Sequence, residues 1–335
     1  MSKKKIAVAV IHGMGAQKSK EGMGSDELTF SKGLNKKIKN ALGAGVMAQV
    51  AWREIYWQGV LQERQTEYFD KLDFGTTWTK ARKFVLSNLS DAGSYRKTHD
   101  DKDDIYEKIH ACVKDTISEL LVDVGEGAPL IIVAHSLGAQ VISNYIYDMW
   151  DYDVTKASKS KPKAIKLRNT KTVTKGKDVT KIKKNMTPTF ETMGTLKQFI
   201  TFGCNIPVFI FAYDPADIKP VRPPVSWTFD PENDPPWWVN FYDQTDDLGY
   251  PLKPIGGAYE ELVNIKHIKE IPIDSGFTFP FLRHAWSHNS YWNDWDVFYP
   301  IATSISQALN GSDPANSAKP TFCTRLRDLF NIFCS

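Results

Sequence analysis

Leu130-Ile-Ile-Val-Ala134 is an unbroken apolar run that passes through His135-Ser-Leu-Gly138 straight into a helical pattern. A strand that is apolar at every position is buried on both faces, which places it inside a parallel sheet. Ile6-Ala-Val-Ala-Val-Ile11 is a second such run. Further strand patterns lie at 49–57, 196–202, 237–242 and 263–271. Between them, Ile105, Ile109, Val113, Ile117 and Leu120 recur at helical spacing, as do Val141, Ile142, Tyr145, Ile146 and Met149. Helix is also expected within 60–95 and over 297–309. Strands alternating with helices predict a mostly parallel sheet with helices on both faces.

The chain has 335 residues, 42% of them hydrophobic, enough to bury a large core. One domain is expected over 1–310, followed by a tail at 311–335. Two segments depart from this pattern. Residues 155–184 hold twelve Lys or Arg against the single acid Asp178, a composition that does not bury itself. Its charge would favour weak peripheral contact with an anionic membrane surface. Residues 215–236 carry seven prolines and read as loop. A net charge of +3 argues against nucleic acid as a partner. The apolar run after Lys3-Lys-Lys5 is too short for a signal peptide, and no stretch reaches the length of a membrane span. A cytoplasmic location with free thiols is the resulting expectation. Cys112, Cys204, Cys323 and Cys334 lack metal-ligand spacing.

Chemistry concentrates at Ala134-His-Ser-Leu-Gly138. Small-x-Ser-x-Gly between a buried strand and a helix is the nucleophile-elbow pattern. The serine occupies a strained turn, and flanking residues must be small because the backbones crowd there. Ser136 is therefore the candidate nucleophile. The helix that follows aims its free N–H groups and positive end at the site, so the Leu137 amide is a candidate oxyanion donor. His12-Gly-Met-Gly15 follows the first strand, where the Met14 amide would give the second donor. Neither a Walker-type nor a dinucleotide-binding glycine pattern is present there.

A serine hydroxyl needs a base, and the base needs an anion to fix its tautomer. With this elbow the partners follow in the order Ser, Asp or Glu, His. Of the seven histidines, His12, His99, His110 and His135 come too early, and His267 falls in a predicted strand. His284 and His288 remain, and His288, followed by Asn-Ser-Tyr-Trp292, is preferred. Asp243, Asp246 and Asp247 all follow the 237–242 strand, with Asp217 a more distant alternative; Asp243 would equally cap the turn. Trp286, Trp292 and Trp295 would serve as core packing or as a pocket wall.

The Ala-His-Ser-Leu-Gly elbow, the His-Gly-Met-Gly loop and the late His288-Asn-Ser-Tyr-Trp292 resemble the lipase and esterase branch of the α/β-hydrolase superfamily, and within it a bacterial group. Thr201-Phe-Gly203 and Trp238-Val-Asn-Phe-Tyr-Asp243 extend the resemblance over most of residues 5–310. It implies an α/β-hydrolase fold, cleavage of a carboxylic ester through an acyl-enzyme, and Ser136, Asp246 and His288 at the matching positions. It implies neither a metal nor an organic cofactor. The group usually carries proline after the acid; Asp247 stands there, which keeps Asp243 and Asp247 as alternatives. A thioesterase or amidase uses the same parts, and a catalytically silent binding module shares the fold.

Overall fold

The computed structural model describes residues 3–14, 24, 27–71, 90–95, 105–157, 189–212, 218–222, 230, 234–274 and 287–310. Six strands are placed: β1 (Ile6–Ile11), β2 (Val50–Ile55), β3 (Leu130–His135), β4 (Leu196–Phe202), β5 (Trp238–Asp243) and β6 (Ile268–Ile273). They form one sheet in the order β2-β1-β3-β4-β5-β6, and every pairing is parallel. The principal helices are α1 (Lys32–Leu42), α2 (Gly59–Asp70), α3 (Ile105–Val124), α4 (Leu137–Ala157), α5 (Gly257–Asn264) and α6 (Trp295–Asn310). The α/β alternation expected from the sequence is present.

Side-chain alternation along the strands splits the core into two clusters. Ala7, Ala9 and Ile11 of β1 and Leu130, Ile132 and Ala134 of β3 pack with α3 and α4. Ile6, Val8 and Val10, with Ile131 and Val133, pack on the other face with α1 and α6. Every residue of β1, β2 and β3 is buried, and apart from Arg53, Glu54 and His135 all of them are apolar. The edge strand β6 is only partly covered, and its middle is correspondingly polar.

Two elements differ from the sequence reading. Val263 does not begin a strand but sits near the end of α5, whose Tyr259 and Leu262 are buried; β6 starts at Ile268, so His267 precedes it. Helix α1 has no counterpart in the sequence reading, because only Leu34 and Ile38 mark its buried face. A buried carboxylate anchors its entry. Glu54 of β2 accepts from the Ser31 amide and hydroxyl at 2.7 Å each and from the Thr29 amide at 2.9 Å.

The basic segment lies outside the described residues except for 155–157, which end α4; so do the tail 311–335 and much of 215–236. Cys112 and Cys204 are free thiols. No helix among the described residues is long and apolar enough to cross a membrane.

Candidate active site

The strand order creates the site. From β1 the chain crosses to β2 on one side, whereas β3 lies on the other side of β1 and leads onward to β4. The connections leaving the carboxyl ends of β1 and β3 therefore diverge onto opposite faces, through α1 and α4, and open a crevice between them. Ile11 and Ala134 are paired in register, so His12-Gly-Met14 and Ser136 emerge side by side. Two glycines make this approach feasible. A Cβ on Gly138 would lie 2.7 Å from the His12 carbonyl oxygen, and one on Gly13 would lie 2.8 Å from Ser136 Oγ.

Ser136 adopts φ 54°, a left-handed conformation that costs a residue with a Cβ about 1–3 kcal/mol. Its turn is held by two backbone bonds: the Ser136 amide donates to Phe202 O at 3.1 Å, and the Ala139 amide to Ser136 O at 2.9 Å. His288 Nε2 stands 2.7 Å from Ser136 Oγ. On the opposite edge of that ring, Nδ1 lies 2.9 Å from each oxygen of Asp246. An ionised carboxylate only accepts, so Nδ1 carries the proton and Nε2 is left to accept from the serine hydroxyl. Asp246 also accepts from the Leu248 amide at 2.9 Å and from the Tyr291 hydroxyl at 2.8 Å. Burial opposes its ionisation, but the hydrogen bond and charge of His288 and these two donors outweigh it and hold its pKa below the usual aspartate value. The carboxylate side chain is 0% exposed and the imidazole 14%, so Asp246 is sealed while the His288 ring reaches the edge of the crevice.

No family model matches the chain, and no curated protein does. The relay of serine, histidine and aspartate is thus the firmest guide to the chemistry.

His288 stands between Ser136 and Asp246, within hydrogen-bonding distance of both. The competing acids are engaged elsewhere. Asp243 Oδ1 accepts from the Thr245 amide and hydroxyl at 2.7 Å each, which is a turn cap, and Asp247 is exposed. Asp217, His284, Trp286 and His99 lie outside the described residues. Leu137 is the first residue of α4, so its amide has no carbonyl one turn back to bond and is free to serve a ligand. Met14 follows Gly13 beside Ser136 and packs against the α3/α4 core. Trp292 stacks on His12 at 5.5 Å, and Trp295 on Tyr299 at 5.2 Å, so both serve as packing.

Three supports escaped the sequence reading. Gly203, at φ 57°, admits the His288 ring, since a Cβ there would lie 3.1 Å from Cε1. His135 Nε2 donates to the His288 carbonyl at 2.7 Å, fixing the loop that carries the base. The Tyr291 hydroxyl donates to Asp246 and accepts from the Asp243 amide at 2.8 Å, tying the acid's turn to the base's loop. Tyr291→Phe removes a bond to a charged group and orphans a buried amide. It is expected to lower unfolding free energy by about 2 kcal/mol and turnover by about tenfold, read from denaturant melts and initial rates.

Alternation sends His12 and His135 to the α6 side, beneath the site, with ring centroids 5.1 Å apart and His135 4.8 Å from His288. Burial pushes His12 down to about 4 and His135 well below the ordinary histidine value. Both are neutral when folded, whereas in the unfolded chain they bind protons below about pH 6.5. The unfolded state therefore gains protons first, and stability falls as pH drops through that window. For His12 the loss between pH 6.5 and 4 is about 3 kcal/mol, at about 1.4 kcal/mol per unit. His12→Phe should keep the ring against Trp292 and flatten the decline of unfolding free energy with acid. An unchanged slope would mean that His12 is already protonated in the native protein.

Proposed function

We propose that this chain is a serine hydrolase of the α/β-hydrolase fold that cleaves carboxylic esters through an acyl-enzyme. One observation carries the proposal: an unbroken path from Ser136 Oγ through both nitrogens of His288 to the buried Asp246 carboxylate, at 2.7 and 2.9 Å. The serine lies at the carboxyl ends of a parallel sheet and at the amino end of a 21-residue helix.

Ser136 Oγ attacks the ester carbonyl while His288 Nε2 takes its proton. The imidazolium formed is stabilised by Asp246, which keeps Nδ1–H directed at itself. Negative charge on the carbonyl oxygen falls to the Met14 and Leu137 amides and to the positive end of α4. His288 then passes its proton to the leaving alkoxide, releasing the alcohol. In the second half His288 takes a proton from water, whose oxygen attacks the acyl carbon, and returns it to Ser136 as the acid departs. At 1% exposure Ser136 is withdrawn from bulk solvent, a setting in which charge contacts are screened less than in water.

Purified protein is expected to release p-nitrophenol from p-nitrophenyl esters of short acids. Absence of turnover from acetate to octanoate would contradict the proposal.

A further inference from the structure

A Cβ on Gly13 would collide with Ser136 Cβ, so only glycine lets the first loop pass this close to the nucleophile. The same residue leaves the peptides on either side of it freer to rotate than any other would. A donor to a developing oxyanion, however, must be fixed in direction before the reaction starts. The Met14 amide is carried on the peptide just past Gly13, and it donates to no backbone carbonyl among the described residues. Its direction is set by what grips the loop on either side of the glycine.

Trp57 supplies one grip. Ile11 and Ile55 end their strands paired in register, so His12-Gly13 and Tyr56-Trp57 leave the sheet side by side. Trp57 opens the turn into α2: its carbonyl accepts from the Val60 amide at 3.1 Å, and that of Gln58 from the Leu61 amide at 3.0 Å. At 1% exposure it belongs to the α3/α4 core, against which the Met14 side chain also rests. From this seat the indole Nε1–H donates to the His12 carbonyl at 3.1 Å. The peptide is planar and trans, so holding the His12 carbonyl also holds the Gly13 amide that points the opposite way. The His12 ring stacks on Trp292 at 5.5 Å, a second grip on the same residue. Gly13 is thus bracketed by a fixed peptide before it and an anchored side chain after it. We propose that Trp57 is a positioning residue of the oxyanion hole: its bond to the His12 carbonyl sets the loop so that the Met14 amide faces the ester oxygen as charge develops there. This assignment rests on the hydrolase reading above. Trp57 touches no reacting atom, so its loss is felt only where charge gathers on that oxygen.

The test varies that oxygen. Sulfur accepts hydrogen bonds weakly, so a thionoester keeps the attack, the proton path and the leaving group while losing most of what the amides give. kcat/KM is compared for p-nitrophenyl acetate and O-(p-nitrophenyl) thionoacetate, in the wild type, in Trp57→Phe and in protein carrying 3-benzothienylalanine at position 57. The last keeps the bicyclic shape and replaces only the N–H, by sulfur. The wild-type ratio of ester to thionoester is expected to exceed about 100, the usual worth of one oxyanion donor. Both replacements should lower it at least about tenfold, through the ester rate, with KM for the ester within about twofold of the wild type. A merely structural loss would lower both rates together and keep the ratio. That result, or an ester rate that the benzothienyl replacement leaves unchanged, would overturn the assignment of Trp57. Wild-type turnover with a ratio near one would overturn the oxyanion role of the Met14 and Leu137 amides and this inference with it. No turnover of any ester would overturn the hydrolase reading and this one together.

Discussion

Ser136→Ala is expected to lower kcat/KM for p-nitrophenyl butyrate by about three orders of magnitude or more. The fold should be kept, because alanine retains the Cβ that already occupies this left-handed turn, and the backbone bonds to Phe202 and from Ala139 involve no side chain. Only Oγ, and with it the contact to His288 Nε2, is removed. His288→Ala should match it. A serine without its base and a base without its serine fail at the same step, so the double variant should be little worse than either single one. Additive losses, multiplying toward a million-fold, would mean that the two residues act independently, contrary to their 2.7 Å contact. Retained activity in Ser136→Ala with a normal melting curve would exclude this nucleophile.

Asp246→Asn should be nearly as damaging, lowering turnover by about 10³–10⁴ while leaving substrate binding close to normal. The side chain is fully buried and spends its oxygens on His288, Leu248 and Tyr291. An amide there presents an N–H to one of these partners. If it meets His288 Nδ1, the ring is turned to the tautomer that carries its proton on Nε2, where it cannot accept from Ser136. Asp243→Asn keeps the oxygen that caps Thr245, and Asp247 is exposed, so both substitutions should cost far less. Equal losses in Asp246→Asn and Asp243→Asn would show that the geometry of the turn, rather than one carboxylate, is being read.

That contrast marks how far the sequence could be read. The buried run of β4 and the helical spacing of α3 have the ends expected of them, because apolar pattern and burial coincide there. Around Val263 they do not. A short amphipathic helix running into a half-exposed edge strand leaves no clean period of either kind, and the two elements read as one. The strained turn at Ser136 was legible because it demands small neighbours that sequence displays. The aspartate that faces His288 was less so: three aspartates lie within five residues, and all are chemically able. What selects Asp246 is the fold of its turn, closed by its own amide bonding Asp243 O at 3.1 Å and by a Gly249 so close that a Cβ would collide with the carboxylate. Tyr291 and His135 act through bonds between segments 45 and 153 residues apart, which no local pattern reveals.

The most direct measurement is active-site labelling with a small fluorophosphonate, matched to a serine that is only 1% exposed. An activated serine displaces fluoride and forms a phosphonate ester, whereas an ordinary serine, lacking a base, does not react. Intact mass and peptide mapping should find one adduct per chain, on Ser136, formed in the wild type and in Asp243→Asn and lost in His288→Ala. A wild-type protein that stays unlabelled after prolonged incubation, or that is labelled at another residue, would contradict the assignment of Ser136 as the nucleophile.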